Sequence, residues 1–199
     1  NQIISQPQSK LLIRAGTDAE SKAQPVPNLR VGSFVGEHRE RPEFIVPISM
    51  DGRLPYDDFS FPEAALILTA HEGRPGHELQ FGQMLDRGIS LIRATYALNS
   101  ANVEGWALYA ESLIYPYLTP EEQLAALRMR LWRVARMFLD PEVQLGLTNE
   151  QKVFEVFAND IGISKELVKE EYNRYAFRSP GQATSYYYGY KHLIETREM

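Results

Sequence analysis

From residue 61 onward, apolar residues return every three or four positions, the repeat of helices that bury one face. The clearest instance is TPEEQLAALRMRLWRVARMFLD, residues 119–140. Thr119 predicts its cap and Pro120 its first helical residue, and Glu121 and Glu122 put acids in the first turn, where backbone N–H groups lack partners. Leu124, Leu127, Leu131, Val134 and Phe138 form one apolar stripe along it. The same logic predicts helices over FPEAALILTAHE (61–72) and over SANVEGWALYAESLIY (100–115), the latter behind a cap at Asn99 or Ser100. TNEQKVFEVFANDIG (148–162) and SKELVKEEYNRYAF (164–177) follow suit, with a last helix in SPGQATSYYYGYKHLIETRE (179–198). Before residue 61 the pattern differs: LLIRAG, LRVGSFVG and EFIVPISM are short β-branched and aromatic runs, punctuated by Gly36, Pro42 and Pro47. They predict short edge strands in an irregular arm over 1–60, ahead of a mainly α-helical region over 61–199.

Composition narrows the function classes. With 199 residues, 44% of them hydrophobic, one compact domain is the default. A formal charge of −5 leaves no excess of lysine and arginine to neutralise phosphates, which argues against a nucleic-acid partner. There is no cysteine, so disulfides and thiolate nucleophiles are excluded, and a transition metal would have to be held by histidine and carboxylate. The longest apolar runs, such as AALILTA, fall far short of the ~20 residues that span a bilayer, so no transmembrane segment is expected.

Histidine and carboxylate meet in LTAHEGRPGHELQ, residues 68–80. A zinc-peptidase helix reads H-E-x-x-H, with a ligand beside the general base and the second histidine one turn on. Here His71 and Glu72 are followed by Pro75, and His77 comes two residues late. In a regular helix His77 would lie ~240° around from His71. Pro75 has no N–H to give the His71 carbonyl, and Gly73 and Gly76 relax the backbone, so a widened or kinked turn can swing His77 into the vacant slot. The plainer alternative is a helix that ends at Glu72, a loop GRPG, and a new helix from His77.

In NVEGWALYAE, Glu104 and Glu111 are seven residues apart and within ~20° of one another on a helix. Acids on so apolar a helix are unexpected unless something pairs with them. Glu104 suits a third metal ligand, and Glu111 suits an acceptor for a histidine's other nitrogen. The alternative is that these glutamates are solvated, or ion-paired with arginines of the next helix. In RMRLWRVAR, Arg130, Arg133 and Arg136 share one arc. They read first as a solvated face, and otherwise as a cleft lining whose guanidiniums fix carboxylates of the protein or of a substrate, with Arg133 and Arg136 as the substrate-binding candidates.

Four separated motifs, HEGRPGHELQ, NVEGWALYAE, LWRVARMFLD and RYAFRSPGQATSYYYGY, in this order resemble the domain of unknown function 885 family, bacterial proteins regarded as zinc metallopeptidases of the gluzincin kind. The resemblance runs from about Asp57 to Met199. It places the family's H-E-x-x-P-G-H on His71, Glu72, Pro75, Gly76 and His77, its E-G-W-A on Glu104 to Ala107, and its P-G-Q-A on Pro180 to Ala183, with Tyr186 after it and Arg174 before it. It implies a mainly helical, zincin-like fold, Zn2+ held by His71, His77 and Glu104, and Glu72 as general base. Glu111 would orient a ligand, Tyr186 would donate to the oxyanion, and Arg174 would assist it. The substrate would be a peptide or small amide. The departures are Glu78, where many members have a histidine, and Gln144, where D-x-G-x-H would end in one. Members are much longer, so the chain corresponds to the C-terminal, catalytic half. Many are exported, which implies a secreted or envelope location. The contrasting expectation is a non-catalytic helical module that binds peptides on the same fold. Oligomeric state has no signature here.

Overall fold

The computed structural model describes the backbone of residues 12–16, 33–35 and 43–47, the position of Asp58, and residues 62–199 apart from 91 and 94–98. The remainder of the expected arm, including Gly36 and Pro42, lies outside the described residues. Leu12–Gly16 (β1), Ser33–Val35 (β2) and Glu43–Pro47 (β3) pair in the order β1-β3-β2, with β1 parallel and β2 antiparallel to β3. The edge-strand reading of EFIVPISM is therefore corrected for β3, which is paired on both sides.

The described region from residue 62 is mainly helical: α1 (Pro62–Glu72), α2 (His77–Asp86), α3 (Ser100–Ile114), α4 (Pro120–Gln144), α5 (Glu150–Phe154), α6 (Lys165–Asn173) and α7 (Ser185–Glu198). The starts follow from local chemistry. The Asn99 side chain accepts from the Ala101 N–H, and Asn149 and Ser164 cap α5 and α6 in the same manner. Thr119 and Glu122 form a full capping box, worth about 1 kcal/mol by comparison with other caps. Less local are two π-helical turns, Glu155–Ile161 after α5 and Arg174–Arg178 after α6.

Two apolar cores flank the long α4. Ala125, Ala126 and Met129 pack with Ala64 and Ile67 of α1, whereas Trp132 and Leu139 pack with Val153, Phe157, Val168 and Tyr175. Between these cores α4 carries Arg133, Arg136 and Asp140, all buried. The solvated-face reading is thus reversed for Arg133 and Arg136, and Leu124, Leu127, Leu131 and Phe138 point outward instead. The physical reason is the anions that face the arginines: Glu111 from α3 and Glu171 from α6. Removing one partner of such a buried pair would leave an uncompensated charge, at a cost of about 3–5 kcal/mol.

Helices α3 and α7 pack backbone to backbone. A Cβ on Gly189 would come 1.8 Å from the Ala101 carbonyl oxygen, and one on Gly105 would come 2.4 Å from the Gly189 backbone. This approach brings Tyr186 at the start of α7 beside Glu104 of α3.

Candidate metal centre

Helix α1 stops at Glu72 because the chain doubles back. The Gly73 N–H still bonds the Thr69 carbonyl at 2.8 Å, but residues 73–76 then turn, and a Cβ on Gly76 would come 1.8 Å from the His71 carbonyl oxygen. Only glycine passes there without movement. From α3 the Trp106 Nε1–H donates to the carbonyls of Pro75 (2.9 Å) and Gly76 (3.2 Å) and ties the turn down. His77 opens α2. The widened turn within one helix is therefore corrected to a break between two helices, yet the histidines meet: their rings stand edge to face with centroids 5.0 Å apart.

Nε2 of His71 and Nε2 of His77 lie 3.8 and 3.7 Å from the same oxygen, Glu104 Oε2. The three ligand atoms fall within 4.8 Å of one another. Zinc bonds of ~2.0–2.2 Å in a tetrahedron set donors roughly 3.3–3.6 Å apart, so the histidine–glutamate separations need to close only slightly. Both Nδ1 atoms are already engaged. His71 Nδ1 donates to Glu111 Oε1 at 2.7 Å, and His77 Nδ1 pairs with Gln80 Oε1 at 3.3 Å. Both Nε2 lone pairs are thereby left for an electrophile, the usual outcome of an acceptor behind a ligating imidazole. His71, His77, Glu104 and Glu111 are thus brought together as the sequence reading expected.

Glu111 serves two partners, since Arg133 Nη2 donates to the same oxygen at 3.3 Å. The ion-pair alternative and the histidine-orienting role hold together at this residue. Burial pushes the Glu111 carboxyl up, and the Arg133 charge with the His71 hydrogen bond brings it below its ordinary value. Glu104 behaves alike: burial opposes its charge, and His77, His71 and Tyr186 more than offset this. For His77, burial disfavours the cation, but the nearby Glu104 and Glu72 carboxylates leave its pKa raised.

Glu72 is the last residue of α1, within the fields of His71, His77, Glu104 and Glu111. No hydrogen bond or ion pair among the described residues holds its carboxylate. Burial raises its pKa, and the two histidines only partly restore it. Glu78, the other acid of this motif, is committed to Arg74 through bonds of 2.5 and 3.0 Å.

Tyr186 and Arg174 arrive from the C-terminal part. Arg174 Nη2 donates to the Tyr186 oxygen at 3.1 Å, and the phenol lies within the field of the Glu104 carboxylate. Burial, then the Glu104 charge, raises the phenol's pKa, so it stays protonated. The guanidiniums of Arg136 and Arg174 stand 5.1 and 5.5 Å from its ring. Of the other tyrosines in SYYYGY, Tyr187 and Tyr190 pack on one another and Tyr188 is half exposed.

Arg136 fixes a carboxylate of the protein itself, as the cleft-lining reading allowed: its Nε and Nη2 grip Glu171 at 2.5 and 2.8 Å. Glu171 also accepts from Tyr175 and Trp132. Arg133 holds Glu111, and its Nε and Nη1 have no hydrogen-bond partner among the described residues. Gln144, in the family's histidine position, donates to the Tyr175 carbonyl at 2.6 Å and braces the second π turn.

Sequence reasoning missed Gln80, Gln182 and Asp140. Gln182 Nε2 donates to Glu104 Oε1 (3.3 Å) and to Ser100 Oγ (3.2 Å), while its Oε1 accepts from Arg174. Asp140 accepts from the Gly181 and Ala183 N–H groups at 2.8 and 3.0 Å and fixes the turn that presents Gln182. Gln182 stands inside the P-G-Q-A motif, the one signal that pointed to it.

A family profile described as bacterial protein of unknown function (DUF885) matches residues 3–199. No curated protein matches. Among solved structures, a provisionally assigned lipoprotein from Colwellia psychrerythraea superposes with a TM-score of 0.80 at 22% identity, over 98% of this chain and 33% of its own. A second, of unknown function, from Shewanella oneidensis, matches with a TM-score of 0.73 at 24% identity, over 94% of this chain and 34% of its own. The chain thus spans about a third of each.

Proposed function

The chain belongs to the DUF885 family of bacterial proteins of unknown function, and from that premise we propose that it carries the metal centre of a zinc-dependent hydrolase cleaving peptide or amide bonds in a zincin-like catalytic region. One observation carries the reading: two imidazole Nε2 atoms lie 3.8 and 3.7 Å from one Glu104 oxygen, with each Nδ1 already paired. Two histidines and a carboxylate are the ligand set of a catalytic zinc site that keeps a position open.

When bound, the ion would supply Lewis acidity and make a water acidic enough to attack near neutral pH. The chain's own groups do the rest. Glu72 takes the water's proton on its carboxylate, and the burial that raises its pKa favours that protonated state. Glu111 keeps the His71 proton on Nδ1, and Gln182 holds Glu104. Tyr186 donates its O–H to the carbonyl oxygen as that oxygen becomes negative, and the Arg174 N–H on the phenol oxygen makes it a stronger donor. The provisional lipoprotein assignment of the Colwellia neighbour supports an exported or envelope location. No described helix is long and apolar enough to cross a membrane.

Digestion of a peptide library by the zinc-loaded chain tests the reading. Discrete cleavage, absent in Glu72→Gln, is the expected result. Peptide retention without cleavage, identical in wild type and Glu72→Gln, would favour a non-catalytic binding module.

A further inference from the structure

Because α4 turns its arginines inward, its apolar stripe lies outside. Leu124, Leu127, Leu131 and Phe138 are 70, 47, 52 and 56% exposed, and Leu145, just past the helix end, is 71% exposed. Leu124, Leu131, Phe138 and Leu145 follow one another at intervals of seven, with Leu127 between the first two, the spacing of a seam that accepts a second helix. At ~1.5 Å per residue the line runs for roughly 31 Å. A contiguous apolar strip on this scale marks an interaction face rather than ordinary surface.

We propose that this face is a docking seam, and that its occupant is an apolar-faced helix from the part of the longer family fold that this chain does not span. Two observations select that occupant. The Colwellia and Shewanella neighbours accommodate this chain on 33 and 34% of their length, so each has about two thirds of a polypeptide to place around the same fold. Among the described residues, the opposite face of α4 is already filled by the two cores and by Glu111 and Glu171, which leaves the outward face to it. The seam would also press Arg133 and Arg136 against their carboxylates, since both sit on the inner side of the same helix.

The test has two parts. In the Colwellia structure, the positions equivalent to Leu124, Leu127, Leu131 and Phe138 should be covered by the unmatched two thirds, and exposure there would overturn the proposal. The 199-residue chain itself should be a monomer that binds the apolar dye anilinonaphthalene sulfonate. The double variant Leu124→Glu, Leu131→Glu should lose most of that dye signal with helicity and melting temperature unchanged. A lower melting temperature or lost helicity in the variant would mean that the chain's own residues cover the stripe. A stable dimer dispersed by the variant would assign the seam to a second copy. Either result contradicts the proposal, and neither depends on zinc.

Discussion

At the scale of single residues, the chemistry rests on which atom of each side chain is left uncommitted. Glu72→Gln should keep zinc and lower turnover by roughly 10²–10⁴, the usual contribution of a general base, as read by steady-state kinetics beside metal analysis. Tyr186→Phe removes one oxyanion donor and should lower kcat by roughly 10²–10³, with little change in zinc content. Unchanged turnover would mean that the phenol takes no part in stabilising the oxyanion. Gln182→Leu should weaken zinc binding in a chelator competition by roughly 10–100-fold, the usual cost of losing a group that orients a ligand, without loss of helicity. His71, His77, Glu104 and Glu111 were legible because the histidines flank a Gly-Pro break and a spacing of seven puts the two glutamates on one face of an apolar helix. Gln80 and Gln182 were not, since a glutamine carries no sign of its partner until the fold places it 3.3 Å from a histidine or a glutamate.

Among the elements, the departures from expectation have one cause: local pattern does not reveal what a helix will face. The stripe and the arginine arc of α4 were both visible, but which side turns inward was decided by Glu111 and Glu171 on other helices. At His71–His77 the sequence allowed either a widened turn or two helices, and the fold uses two, with Trp106 fastening the turn between them. The π turns at 155–161 and 174–178 left no mark in the hydrophobic pattern. Backbone contact between α3 and α7 gives the sharpest prediction at this scale. Gly189→Ala puts a methyl group 1.8 Å from the Ala101 carbonyl oxygen and forces the helices apart. Thermal unfolding should show a loss of about 1–3 kcal/mol, the range for overpacked interiors, and zinc affinity should fall with it because Glu104 and Tyr186 separate. An unaltered melting temperature would mean that the two helices are not in contact.

For the whole molecule, the helical character of the described residues from 62 was legible from periodicity and caps, whereas much of the arm before them lies outside the described residues. The buried network around Glu171 sets an acid limit on the fold. Burial would raise this carboxyl, but the Arg136 charge and hydrogen bonds, with Arg174 and Tyr175, lower it from 4.5 to about 2. A depressed folded value means that its contribution is complete above pH 4.5 and is lost as the pH falls toward 2. Summed over that interval it amounts to about 3 kcal/mol. Denaturant melts across this range should show the decline, and Glu171→Gln should flatten it on an already weakened fold. The central claim, that His71, His77 and Glu104 form a metal centre, is tested most directly by zinc titration of the apo chain against a competing chelator, in wild type, His71→Ala and Glu72→Gln. The expected result is about one tightly bound zinc per chain in wild type and Glu72→Gln and none in His71→Ala, as three ligands and an open position require. Zinc absent from the wild type, or bound equally well without His71, would contradict it.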